Sequence, residues 1–298
     1  MTQFLQQDPR EAEAIYVIRE AAAQFRKPVL LFSGGKDSVV LVHLARKAFY
    51  PAPLPFTLVH VETGHDFPET LAFRDRLVAR IGARLEKVSV EAAMARGLVA
   101  DERPGASRNA LQGTVLVDWI SRNGIDACLG GARRDEEKSR AKERLFSVRN
   151  AFGRWDERRQ RPELFNLLNG MVRPGENVRV FPISNWTEAD VWRYIRREQL
   201  ELPELYFAHE REVVLRNGQP VPVSPLQPVQ PGEQALKARV RFRTVGDMSC
   251  SGALFSDAVD IDAVIAENQD SSLSERGTRL DDQRDEASLE LRKKSGYF

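Results

Sequence analysis

The feature that most constrains this chain is a short apolar run, Pro28 to Phe32, that halts at Ser33-Gly34-Gly35-Lys36-Asp37-Ser38 and resumes as the apolar stretch VVLVHLARKAF. An apolar run stopped by a Gly pair predicts a buried strand, and the stretch behind it is long enough for a helix buried on most sides. The loop between them has the composition of an anion cradle. Glycines let the backbone approach a ligand closely, while free amides and the positive end of the following helix favour phosphate. The pattern is not the Walker GxxxxGK[ST], because Asp37 follows the lysine, nor the dinucleotide GxGxxG. An ordinary βα turn would need neither paired serines nor Lys36.

The alternation recurs. Strands are predicted at 56–61, 85–90, 125–129 and 178–183, and helices at 11–25, 68–81, 113–122 and 187–198, where Thr187 stands as N-cap with Asp190 three positions on as in a capping box. Five strands separated by helices predict an α/β fold, an open parallel sheet with helices on both faces. Past residue 210 the character changes. Pro220, Pro222, Pro225, Pro228 and Pro231 exclude a central strand or a helix interior there. The expected division is a catalytic core over 1–210 and, over 211–298, an irregular Pro-rich connection and a polar tail suited to a lid or a partner surface.

A second signal follows the fourth strand, Gly130-Gly131-Ala132-Arg133-Arg134-Asp135-Glu136-Glu137-Lys138-Ser139-Arg140. Residues 131–161 hold eleven Lys/Arg against six Asp/Glu, although the whole chain has 44 against 43 and a net charge of +1. Such a balance argues against a general nucleic-acid binder, so the local excess points to a cationic site at the same sheet edge as the cradle. A solvated helix laced with ion pairs is the alternative for the distal arginines. The two cysteines, Cys128 and Cys250, are far apart and offer no disulfide framework or CxxC site, which fits a reducing cytoplasm. No run approaches eighteen apolar residues and the N-terminus is acidic and amphipathic, so neither a signal peptide nor a membrane span is expected.

Together, SGGKDS, HVETGHDFPET (60–70), LGGARRDEEKSRAKER (129–144), FPISNWTEADVWRYI (181–195), VRFRTVGDMSCSGAL (240–254) and SERGTRLDD (274–282) resemble the small catalytic subunits of bacterial two-subunit sulfate adenylyltransferases, within the adenine-nucleotide α-hydrolase-like superfamily. Gly34 stands where many such subunits carry Ile, and His65 where Trp is common. The related reductases carry a C-terminal ECGxH cysteine motif that this chain lacks.

The resemblance implies a sheet ordered 3-2-1-4-5, with ATP across the carboxyl ends of its strands. It further implies adenylyl transfer to sulfate and a partner GTPase subunit that drives it, in sulfate assimilation toward cysteine. Ser33, Gly34, Gly35, Lys36, Asp37, Ser38, Val61 and Gly131 are then the expected nucleotide-binding residues. Lys36, Arg133, Arg134, Lys138 and Arg140 are the expected cations for pyrophosphate, sulfate and α-phosphate. Asp37, a carboxylate beside phosphates, is expected either to cap the helix or to hold Mg²⁺ through water. Thiolation of tRNA, adenylylation of FMN and nucleotide binding without catalysis use the same loop and are the alternatives.

Overall fold

The computed structural model describes residues 8–102, 106–136, 138–270, 275, 279 and 280, with the side chains of Lys138, Ser139 and Asp270 outside that description. The chain opens on α1 (Pro9–Gln24), whose first turn is capped by the Asp8 carboxylate, then β1 (Pro28–Leu31), α2 (Lys36–Phe49), β2 (Thr57–Glu62), α3 (Pro68–Ile81) and β3 (Leu85–Ser89). It continues through α4 (Val90–Ala95), α5 (Asn109–Asn123), β4 (Ala127–Leu129), β5 (Phe146–Arg149), β6 (Asn177–Val180) and α6 (Glu188–Arg197).

The strands form one sheet in the order β3-β2-β1-β4-β6-β5. The five expected strands are parallel and in the expected order, with Val29 registered between Thr57 and Cys128, and Cys128 beside Arg179. The difference is the sixth strand, β5, which pairs antiparallel with β6 at the edge. Its sequence, FSVR, alternates apolar and polar residues, but four residues within a charged run are too few to stand out as a strand, and the polar positions Ser147 and Arg149 are buried rather than turned to solvent.

Alternating residues send the two faces of the sheet into different layers. Leu30, Leu58, Leu129 and Val180 pack with α1, α2, α3 and α6, whereas Val29, Val59, Val88 and Cys128 pack with α4 and α5. α6 carries the predicted capping box: the Thr187 hydroxyl accepts from the Asp190 amide at 3.2 Å, and the Asp190 carboxylate accepts from the Thr187 amide at 2.9 Å. Because the chain leaves β1 toward β2 and β3 and returns on the other side as β4, a crevice opens at the carboxyl ends of β1 and β4. Open α/β sheets bind ligands at such a switch point.

The region after 208 is more regular than expected. β7 (His209–Arg216), β8 (Gln219–Pro222), β9 (Leu236–Arg241) and β10 (Leu254–Phe255) make a second, antiparallel sheet in the order β10-β9-β7-β8, followed by α7 (Ile261–Asp270). Asn217-Gly218, both at positive φ, form the two-residue turn between β7 and β8, a hairpin signal the prolines overshadow. Pro220 and Pro222 are tolerated because β8 is an edge: the Pro220 carbonyl accepts from the Ala253 amide at 3.0 Å, so the proline side of the strand is turned away from β7. Of the basic residues Lys237, Arg239, Arg241 and Arg243, the first two are exposed and the last two are buried. Arg241 is buried against Glu267 and Asn268, and Arg243 against Glu188 of α6 at 2.7 Å. Val213, Val240 and Phe242 share a buried cluster with Phe67, at the start of α3, and Leu205, after α6, so this sheet packs on the segments that flank those helices.

Candidate active site

The cradle is built where the sequence places it. Gly34 has φ +80, and a Cβ there would stand 2.9 Å from the Thr70 methyl, so the conformation and the space both ask for glycine. The Ser33 hydroxyl accepts from the Gly35 amide at 3.3 Å and lies 3.3 Å from the Ser38 hydroxyl, which donates to the Gly35 carbonyl at 2.8 Å. The paired serines therefore brace the turn. The Lys36 amide, first of α2, donates to the Tyr206 hydroxyl at 2.9 Å, and burial pushes that phenol up to about 12. Tyr206 had no sequence signal beyond an apolar neighbourhood; only the fold brings it across 170 residues.

Gly131 explains how the second motif reaches the first. A Cβ at Gly131 would lie 3.0 to 3.2 Å from the Asp37 backbone carbon, its Cβ and its carbonyl oxygen, so the loop after β4 docks on the first turn of α2 only with glycine there. This sets Arg133 beside Asp37. Its Nε donates to Asp37 Oδ1 at 2.8 Å, and Lys36 Nζ donates to Asp37 Oδ2 at 2.9 Å. Both cationic side chains are essentially inaccessible, at 1% for Lys36 and 0% for Arg133. Burial alone would raise the Asp37 carboxyl, but Arg133 and Lys36 overcome it and hold the group at about 2. Burial opposes the charge on Lys36 and Arg133 too, yet the carboxylates around them raise both above their ordinary values.

The second carboxylate comes from far along the chain. Glu275, 7% exposed, accepts from Lys36 Nζ with one oxygen and from Arg133 Nη2 with the other. Beside this quartet lies a cavity of about 210 Å³ lined by Ser33, Gly35, Gly131, Arg140, Tyr206 and Arg279, among others. Neither Glu275 nor Arg279 stood out as a single residue, although both fall in the SERGTR segment that carried the resemblance.

The remaining expected residues divide. Arg140 lines the cavity and lies 3.6 Å from Glu136, whereas Arg134 is turned out of it: its guanidinium donates to the Glu143 carbonyl at 2.8 and 3.2 Å and to the Asn185 side chain. The side chain of Lys138 lies outside the described residues. Val61 sits near the carboxyl end of β2 and packs in the α4–α5 cluster with Leu31; Leu31 lines the cavity and Val61 does not. Much of the local cationic excess is structural. Arg149 pairs with the buried Glu143 at 3.1 Å, Arg159 with Glu176, and Arg161 with the Asn169 carbonyl at 2.7 Å. His65, in the turn after β2, is buried and accepts from the Met248 amide through its carbonyl at 2.8 Å, a structural place. Both cysteines are buried free thiols.

The expected metal role of Asp37 does not fit this geometry. Each of its oxygens already accepts from a cationic donor, and among the described residues no group of three His, Cys, Asp or Glu could hold a metal. No helix among them is long and apolar enough to cross a membrane.

A parallel sheet with an anion cradle at its switch point defines the class of nucleotide-binding α/β proteins. Residues 27–253 match the family model described as the phosphoadenosine phosphosulfate reductase domain. Among curated relatives, the sulfate adenylyltransferase subunit 2 of Streptomyces lavendulae is 56% identical over 98% of this chain and 91% of its own length. The protein of the same name from Mycobacterium sp. (strain JLS) is 54% identical over 97% and 93%. A solved phosphoadenylyl-sulfate reductase from Candida auris is 18% identical, covering 69% of this chain and 91% of that one with a TM-score of 0.44. The chain belongs to the sulfate adenylyltransferase subunit 2 family, within the phosphoadenosine phosphosulfate reductase domain family.

Proposed function

We propose that this chain is the catalytic subunit that transfers the adenylyl group of ATP to sulfate, giving adenosine 5′-phosphosulfate and pyrophosphate. The observation that carries this is the pair Lys36 and Arg133, two buried cations brought to the N-terminus of α2 behind a glycine turn, at the carboxyl edge of a parallel sheet. Sulfate is already anionic and needs no general base. The protein's task is to align two anions and to stabilise charge on the transferring phosphoryl group and the departing pyrophosphate, which calls for cations rather than a nucleophile. Lys36 and Arg133 face the pyrophosphate side, and Arg140 on the cavity wall faces sulfate or the α-phosphate. The reaction is redox-neutral, in keeping with two buried thiols, of which burial pushes Cys128 further up.

Mg²⁺ would accompany ATP on its phosphate oxygens; no step is assigned to it through Asp37. The equilibrium of sulfate adenylylation favours ATP, so a partner subunit that hydrolyses GTP drives it, in the cytoplasm, toward cysteine. The core over 1–210 holds the nucleotide. The part over 211–298, which carries all but the first two residues of the second sheet, closes the site and offers a partner surface. The test is release of pyrophosphate from ATP by the chain purified with its partner subunit, with and without sulfate and GTP. Release that requires sulfate and rises with GTP is expected, falling at least tenfold in Lys36→Ala. Sulfate-independent release, or FMN substituting for sulfate, would overturn it.

A further inference from the structure

The two cations that define the anion site are already engaged by an anion of the chain itself. Glu275 lies 239 residues from Lys36 and 142 from Arg133 in sequence, yet each of its carboxylate oxygens accepts from one of them. One oxygen on a lysine and the other on an arginine is how these cations would also grip two oxygens of a phosphate. Lys36, Arg133, Asp37 and Glu275 sum to zero charge. Adding a polyanion there would bring like charges together, so a ligand gains the positions on Lys36 Nζ and Arg133 Nη2 that Glu275 occupies by exchanging with it, while the buried Arg133 Nη1, which has no hydrogen-bond partner, is a further donor to the incoming anion. Asp37 is fixed in the first turn of α2 and held by two donors. Glu275 belongs to no helix or strand, and the described residues that follow it are held near Cys250: the Leu280 amide donates to the Cys250 carbonyl at 3.0 Å and Arg279 bridges to Ser251. The cavity beside the quartet, about 210 Å³, also falls short of the roughly 300–1,000 Å³ usual for small-molecule sites.

We propose that Glu275 is a built-in competitor for the oxyanion subsite, its carboxylate holding Lys36 and Arg133 in the place of a phosphate or pyrophosphate group and withdrawing when that ligand seats. This rests on Lys36 and Arg133 being the phosphate site of the proposed reaction. The competitor is poised to leave: burial and the neighbouring Asp37 both disfavour its charge, against the pull of Lys36 and Arg133. Arg279, four residues on, lines the same cavity, so the ligand meets a charge of each sign from this part of the chain.

The experiment is calorimetric titration of the full chain with inorganic pyrophosphate, in EDTA and again in Mg²⁺, comparing wild type, Glu275→Gln and Lys36→Ala. Glu275→Gln is expected to bind pyrophosphate about tenfold tighter in both buffers, and Lys36→Ala at least tenfold more weakly. Unchanged or weaker binding in Glu275→Gln overturns the proposal, and a loss confined to the Mg²⁺ buffer assigns the carboxylate to a metal instead. Pyrophosphate binding that is absent in wild type and in Glu275→Gln alike overturns the site itself; binding present but indifferent to Glu275 overturns the competitor alone. A second measurement needs no variant. In wild type, pyrophosphate should speed hydrogen exchange at the Leu280 amide severalfold, and added protection there would contradict withdrawal of the segment.

Discussion

Adjacent residues in one charged run have opposite fates. Arg133 and Arg134 are neighbours, yet one guanidinium is sealed against Asp37 and Glu275 while the other holds the Glu143 carbonyl and Asn185. Arg140→Ala should therefore lower kcat for sulfate-dependent pyrophosphate release by ten- to a hundredfold with little change in melting temperature, since charge stabilisation is realised mainly in the transition state. Arg134→Ala should do the reverse, lowering stability by about 1–3 kcal/mol and sparing turnover of the folded fraction. Steady-state kinetics beside thermal melts separate the two. Asp37 adds a pH signature. Its carboxyl is held below its ordinary value, at about 2, so its contribution is present above the ordinary carboxylate range and lost as pH falls through about 2. Asp37→Asn should cost roughly 2 kcal/mol at neutral pH, and urea titrations should show the gap from wild type closing as the pH is lowered toward 2.

At the scale of elements, the site depends on how closely the loop after β4 approaches α2. Gly131 is the contact, and a methyl group there must push against the Asp37 backbone rather than against a yielding side-chain end. Gly131→Ala should lower stability by about 1–3 kcal/mol and raise the KM for ATP several-fold, because Arg133 rides on the displaced loop. An unchanged KM with unchanged stability would mean the loop docks less tightly than the 3.0 Å separation indicates. α6 is the contrasting case, an element whose start is fully written in its own sequence. Thr187 and Asp190 satisfy each other's backbone amides, and no distant residue is needed to explain where the helix begins.

Across the whole molecule, the second sheet is bound to the helical layer of the first part of the chain by buried charge as well as by apolar packing. Arg243, just past β9, is buried against Glu188 at the start of α6, and Trp192 and Asn268 lie in reach of the same carboxylate. Breaking a buried pair strands a charge. Arg243→Ala is expected to destabilise the protein by about 3–5 kcal/mol in urea unfolding, and Arg243→Met combined with Glu188→Leu to recover part of that loss. Equal stabilities for the single and double variants would show that the pair is not what couples the sheet to α6.

The sequence by itself determined the alternation of five central strands with helices, the glycine turn before α2, the capped start of α6 and the cationic character of the loop after β4. These are local matters: period, turn chemistry and neighbouring charge act within a few residues. Only the tertiary structure decided which arginines face the cradle, that β5 joins the sheet edge, and that 209–255 forms a sheet in spite of its prolines. Pairing between strands and burial of charge depend on partners tens to hundreds of residues away. Glu275 makes the point most sharply, for nothing within its own segment distinguishes it from the other acids of a polar tail. Its identity as the counterion of Lys36 and Arg133 exists only once the chain has folded back upon its first strand.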